Sequence, residues 1–209
     1  MIAESVTAVI AAYLLGSIPF AYIAGRLLKK VDIRRVGGGN VGAANVMREV
    51  GTAAGIAVLA ADIGKGTLAV LIAQWLGVSQ VIVFVAGLAV VMGHNWPVFL
   101  EFDGGRGGAT TIGVFFGLAP VPSAISLGIM LIVAFVTSNL RLAMGIGIAF
   151  LPLIIWGFGG EVSLIIYAVA LPLFTGLRAL PAVVRSLRDP EERKHFIFDR
   201  EHKPWQRKK

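Results

Sequence analysis

The chain has 209 residues, 56% of them hydrophobic and only 15% charged, with a net charge of +7 and no cysteine, and its mean hydropathy is +0.81. That composition lies outside soluble globular usage and marks an integral membrane protein, while the missing cysteines exclude disulfides, thiolate nucleophiles and cysteine-ligated metals. The basic excess carries no zinc-finger, homeodomain or RNA-binding pattern and gathers where membrane topology places it, so nucleic acid is excluded as a partner.

Taken in chain order, apolar runs predict spans over 5–28, 51–77, 80–100, 109–119, 122–138, 142–158 and 162–178. Glu4 precedes the first run and Lys29, Lys30, Arg34 and Arg35 follow it, the reverse of a cleavable signal, so this run is expected to stay as the first span. The fourth run is short against the roughly 20 residues that cross a bilayer core of roughly 30 Å. Pro120 and Pro122 break the chain there and predict a hairpin, the alternative being one long kinked span through 109–138. Cytoplasmic loops collect Lys and Arg, which decides between the two counts. Seven spans with the N-terminus outside place every one of the 19 Lys and Arg except Lys65 inside or at an inside edge, whereas six would move Arg141 and the basic tail outside. The expectation is an all-α, polytopic bundle of seven transmembrane helices with a cytoplasmic C-terminus. One membrane domain over 1–178 is followed by a basic cytoplasmic tail over 179–209.

Several polar features are not explained by topology. Two predicted inside loops are rich in glycine, VDIRRVGGGNVGAANVMREVG over 31–51 and GHNWPVFLEFDGGRGGAT over 93–110. Glycines let backbone N–H groups approach an anion, and Arg or Asn beside them adds charge or donors, which suits phosphate. Glycines near helix ends also cap helices or permit close packing, and each loop alone admits that reading. Neither loop fits a Walker or Rossmann pattern. Asp62 and Lys65 in ADIGKG are charged residues inside an apparent span, and their i, i+3 spacing puts them on one helix face as a pair. His94 and Asn95 end the third span immediately before the second loop. Three scattered histidines with no HxxxH or HExxH spacing make no metal site.

Together GSIPFAYIAGRL, GGGNVGAANVMR, ADIGKG and GHNWPVFLEFDGGRGGAT resemble, in order and spacing, the bacterial PlsY family of acyl-phosphate:glycerol-3-phosphate acyltransferases. The resemblance is close over 16–113 and rests on the span pattern elsewhere. It implies a multi-pass enzyme of the bacterial inner membrane, without a cofactor. Its expected substrates are acyl phosphate and glycerol 3-phosphate, its product lysophosphatidic acid, its other partners membrane lipids and an enzyme that supplies acyl phosphate. Carried over by position, it implies phosphate binding by Gly38, Gly39, Asn40, Asn45 and Arg48 in the first loop, and by Gly104, Gly105, Arg106 and Gly107 in the second. His94 and Asn95 are the implied catalytic residues, with Asp62 and Lys65 as a supporting intramembrane pair.

The bottom-up chemistry agrees. Acyl phosphate is a mixed anhydride with a good leaving group, so positioning and charge stabilisation suffice and no covalent acyl-enzyme is required. Against the family pattern SGNxGATN the first loop has Gly38 for serine and Ala44 for threonine, and GGKG is GGRG with Arg106 for lysine. Where an HRxNIxRL-like segment is expected after the last span, Ala179 and Ala182 replace His and Asn, and Arg185 remains. These departures leave open a divergent paralogue that binds lipid. A small transporter with Asp62 and Lys65 on an ion path is the third reading, opposed by the absence of an inverted repeat and by polar residues gathered at one face.

Overall fold

The structure is a computed structural model, and it describes residues 1–188. All regular structure among those residues is helical: α1 (Ile2–Ser17), α2 (Phe20–Lys29), α3 (Ala43–Glu49), α4 (Thr52–Trp75), α5 (Gln80–Asn95), α6 (Gly108–Leu118), α7 (Pro120–Thr137), α8 (Leu140–Gly157) and α9 (Val162–Arg188), with 3-10 turns at Ile33–Arg35 and Val98–Leu100. Five stretches are long and apolar enough to cross a bilayer, Ile2–Lys29, Thr52–Trp75, Gln80–Leu100, Pro120–Thr137 and Val162–Pro181, while α6 and the apolar part of α8 are shorter.

Each predicted span contains a helix, with three differences. The first is two helices. Pro19 has no N–H and disfavours helical dihedrals in the residue before it, and Ile18 accordingly turns to an extended ψ of 115°. Between 109 and 138 the chain makes two helices rather than one kinked span, because Ala119 leaves the helical region (φ −146°, ψ 75°) and Pro120 opens α7 at the position where a missing N–H costs least. The last helix does not stop at 178 but carries Ala179 onward to Arg188. Residues 189–209 of the predicted tail, and the side chains of Ala182 and Arg185, lie outside the described residues.

The chain forms two compact units, Met1–Pro120 and the segment from Val121 on. In the first, small residues bring backbones together. A Cβ on Gly16 would run into the Val90 backbone, one on Gly93 into Tyr13 O, one on Gly66 into Thr110 O, and one on Gly113 into Ile63 O. Thus α1 lies against α5 and α4 against α6 at distances that only glycine permits, the usual way membrane helices gain packing without a hydrophobic drive. Thr67 Oγ1 adds a bond to Gly113 O at 2.8 Å across the α4–α6 contact. In the second unit Ser126 Oγ donates to Gly147 O at 2.8 Å, joining α7 to α8, and Leu151, Ile155, Ala168 and Leu171 are buried. Large apolar side chains such as Leu71, Trp75, Phe135 and Trp156 are exposed, as surfaces bathed in lipid are expected to be.

The first glycine loop is held from below. Asn45, 4% exposed, donates from Nδ2 to Ile33 O, Val36 O and Asn40 O at 3.0–3.1 Å and accepts at Oδ1 from Gly38 N at 3.1 Å. Gly37 and Gly39 take left-handed φ values of 57° and 64°, which the tight turns require. From the side, Asp32 accepts from Arg34 Nε and Nη2 at 3.1 and 2.9 Å and from Arg34 N at 3.0 Å. These Arg34 bonds hold the Asp32 carboxyl down at about 2. Beneath lie Ala21, Ile33, Val41, Val46, Val58 and Leu100.

Two stability outcomes are expected in detergent, read by thermal unfolding. Gly113→Ala should lose about 1–3 kcal/mol because its Cβ meets backbone, whereas Gly64→Ala, with nothing within 4 Å, should be neutral or gain up to about 1 kcal/mol. Asn45→Ala removes four hydrogen bonds and should cost about 2–4 kcal/mol, well beyond Asn40→Ala.

Candidate active site

Asp62 and Lys65 face inward from the middle of α4, 2% and 3% exposed. Lys65 Nζ lies 2.9 Å from Asp62 Oδ1, and the same oxygen is 3.4 Å from His94 Nδ1 at the end of α5. Both are close charge contacts rather than aligned hydrogen bonds at Oδ1. Lys65 reaches further, donating to Ile18 O at 3.0 Å, where Pro19 has interrupted the α1 ladder, and its ammonium sits 5.5 Å from the centre of the Phe20 ring. A buried charge costs several kcal/mol unless paired, and here each charge has a partner within the bundle.

The second glycine loop folds over His94. Gly105 N donates to His94 O at 3.0 Å. A Cβ on Gly104 would strike His94 O and Pro97 Cδ, and one on Gly105 would strike His94 Nε2 while lying 2.7 Å from Val41 O. The loop backbone is thus pressed between the imidazole and the first glycine loop, and no other residue type fits. Gly107, at φ 78°, turns the chain into α6. A second tie between the loops is electrostatic, the exposed Asp103 carboxylate favouring the charged Arg34 guanidinium. A small cleft opens where these parts meet, bordered by Ser17, Ile18, Val41, Asp62, Lys65 and His94 among others.

The predicted site residues therefore divide. His94, Asp62, Lys65, Gly104 and Gly105 converge directly. Asn95 is adjacent and fully buried, with neither amide atom partnered among the described residues, and the hydroxyls of Thr110 and Thr111 at the start of α6 share that condition. Gly38 and Gly39 are exposed, Asn40 and Arg106 half-buried, and Arg48 exposed on α3. Asn45 bonds only loop backbone, so its role here is to shape the first loop. Sequence reasoning missed the His94–Asp62 contact, the Ile18 carbonyl and the Asp32–Arg34 brace. The Pro19 in GSIPF was the available signal for the second of these. No cluster of three metal-ligating side chains occurs among the described residues.

The glycerol-3-phosphate acyltransferase family model matches residues 6–188. Glycerol-3-phosphate acyltransferase 4 of Dehalococcoides mccartyi is 43% identical over 171 residues, covering 81% of this chain and 91% of that protein. The enzyme of Dechloromonas aromatica is 39% identical over 147 residues, 70% of this chain and 74% of the relative. Among solved structures, the glycerol 3-phosphate form of PlsY, described as an integral membrane glycerol 3-phosphate acyltransferase, matches at TM-score 0.80 and 35% identity over 88% of this chain and 92% of that one. Its lysophosphatidic acid form matches at 0.78 and 34%. The helices, the two glycine loops closed on His94 and these relatives agree: the chain belongs to the glycerol-3-phosphate acyltransferase family.

Proposed function

We propose that this protein transfers a fatty acyl group from acyl phosphate to the 1-hydroxyl of glycerol 3-phosphate, releasing phosphate and lysophosphatidic acid for phospholipid synthesis. The observation that carries the reading is the seating of the second glycine loop between His94 Nε2 and Val41 of the first. Two flexible-backbone anion cradles then share one reaction centre, as a reaction between two phosphorylated substrates requires. The relatives named for glycerol 3-phosphate acylation, and the solved forms with glycerol 3-phosphate and lysophosphatidic acid, support the substrate and product.

In the proposed step the substrate hydroxyl oxygen attacks the acyl carbonyl, the C–O bond to phosphate breaks, and the hydroxyl proton passes to His94 or to an oxygen of the leaving phosphate. Arg48 and Arg106 neutralise phosphate charge, the backbone N–H groups of Gly104 and Gly107 donate to phosphate oxygens, Gly38, Gly39 and Gly105 shape the cradles with N–H groups that already bond Asn45 Oδ1, Val36 O and His94 O, and Asn40 and Asn95 orient substrate oxygens. Asn45 shapes the first cradle. The site opens to the cytoplasmic face of a seven-span bundle in the bacterial inner membrane, N-terminus outside, supplied by an enzyme that makes acyl phosphate. The basic charge distribution supports that orientation.

Purified protein given palmitoyl phosphate and glycerol 3-phosphate should release phosphate in step with lysophosphatidic acid. No turnover by folded protein, beside an active relative, would leave the lipid-binding paralogue as the better reading. Arg106→Ala should lower turnover about 10²–10³-fold, the cost of removing one transition-state donor, while Arg207→Ala should leave it within twofold; equal losses would remove the second loop from the site. Gly38→Ser with Ala44→Thr should gain less than about threefold, because Asn45 holds the loop without those hydroxyls and Gly38 has room for a side chain.

A further inference from the structure

We propose that the outer face of α2 binds an anionic phospholipid of the surrounding bilayer, its headgroup phosphate held by Arg26 and Lys30 and an acyl chain lying against Ile23 and Leu27. The stretch Ile2–Lys29 has 28 residues, and at 1.5 Å per residue its helical length comes to about 42 Å against a hydrocarbon core of roughly 30 Å. The surplus falls at the charged end, because ammonium and guanidinium heads stay out of hydrocarbon. Between residues 20 and 36 stand five cations, Arg26, Lys29, Lys30, Arg34 and Arg35, and one carboxylate, Asp32. That balance complements a layer of headgroup phosphates.

The residues of α2 are sorted for such a surface. Ala21 and Gly25 are buried, Gly25 close against Val31 O and Ile33. Ile23, Arg26, Leu27 and Lys30 follow the i, i+3, i+4, i+7 spacing of the opposite face, and Ile23 and Leu27 are 39% and 76% exposed. Arg26 is held ready. Its Nε donates to Tyr22 Oη at 3.0 Å and its guanidinium stands 5.1 Å from the Tyr22 ring. Asp32 takes its short bonds from Arg34 and lies 3.6 Å from Arg26 Nη2, so Arg26, half-exposed, keeps a positioned fork for a phosphate. Lys30 is the second outlier. It caps α2 at φ 58°, a left-handed position that glycine usually fills, and its side chain is exposed with no ion-pair partner among the described residues. Helix termination alone would favour glycine there; a headgroup contact gives the lysine a reason to stay.

Full-length protein in neutral detergent should retain dioleoyl phosphatidylglycerol more tightly than dioleoyl phosphatidylcholine, counted as lipid adducts by native mass spectrometry. Lys30→Gly removes the charge and suits the left-handed cap, so it should unfold at no lower a temperature. It should bind phosphatidylglycerol at least about fivefold more weakly and phosphatidylcholine within twofold of wild type. Arg188→Gln, at the end of α9, should change neither. Equal wild-type affinity for the two lipids overturns the proposal, and so does a folded Lys30→Gly that keeps phosphatidylglycerol, since Lys30 would then only end a helix. An equal loss in Arg188→Gln would make the attraction diffuse and overturns it as well. Should glycine loosen the cap, Lys29→Gln/Lys30→Gln gives the same comparison. Excess inorganic phosphate should leave the phosphatidylglycerol in place; displacement would mark a site for free phosphate and refute the lipid assignment. No step requires turnover, so failure here leaves the acyl-transfer reading standing, and a protein inactive on palmitoyl phosphate still tests the lipid surface.

Discussion

The arrangement depends on one buried carboxylate. Asp62 stands within an apolar bundle where an unpaired charge would cost several kcal/mol, so α4 must be placed where Lys65 and His94 can both reach it. That requirement places the end of α5 beside the middle of α4. Lys65 then has donors left over, and the carbonyl exposed at Ile18 by the following proline accepts one. A break that would leave backbone polar groups unsatisfied in lipid becomes an anchoring point instead. The cleft lies where these three constraints intersect, and its polar lining follows from them.

Close packing makes the convergence possible. Side chains larger than hydrogen at Gly16, Gly93, Gly66 or Gly113 would push α1 from α5 or α6 from α4, and a separation on the scale of a methyl group would pull His94 away from Asp62. Gly104 and Gly105 serve the same end in the loop. They let backbone pass beside an imidazole ring, and Gly105 N ties that backbone to His94 O. The glycines thus have two physical roles in one chain, and their position relative to the helices separates them.

Much of this was legible in the sequence, because composition and local spacing report on local physics. The apolar runs located the long helices, though not the short α3 inside the first glycine loop, Pro120 and Pro122 located the α6–α7 turn, and the i, i+3 spacing of Asp62 and Lys65 foretold a shared face. What local spacing does not carry is a partner on another helix. The contact between His94 and Asp62 joins residues 32 positions apart and exists only once α4 and α5 pack. Pro19 was visible, but hydropathy averages over a single proline, so α1 and α2 read as one span. Charge misled at the other end, where the residues after Arg178 read as tail although the helical ladder continues to Arg188. Asn45 read as a ligand-binding residue by position; its three carbonyl partners, at residues 33, 36 and 40, are separated too irregularly for any periodic pattern to reveal.

The brace beneath the first loop also explains how this sequence departs from its family's pattern without losing the loop. A serine or threonine hydroxyl could hold one turn of backbone, but here the amide of Asn45 closes four bonds at once, and Asp32 locks the entrance through the two arms of Arg34. Arg26 and Arg34 both lie near the Tyr22 ring, at 5.1 and 5.4 Å, and the Arg34 contact joins α2 to the same brace. With shape secured from below and from the side, the residues at 38 and 44 are released from scaffolding. Gly38 and Ala44 therefore leave the loop backbone intact. Under the acyl-transfer proposal, the two absent hydroxyls would bear on the strength or selectivity of phosphate recognition, while the fold of the loop is indifferent to them.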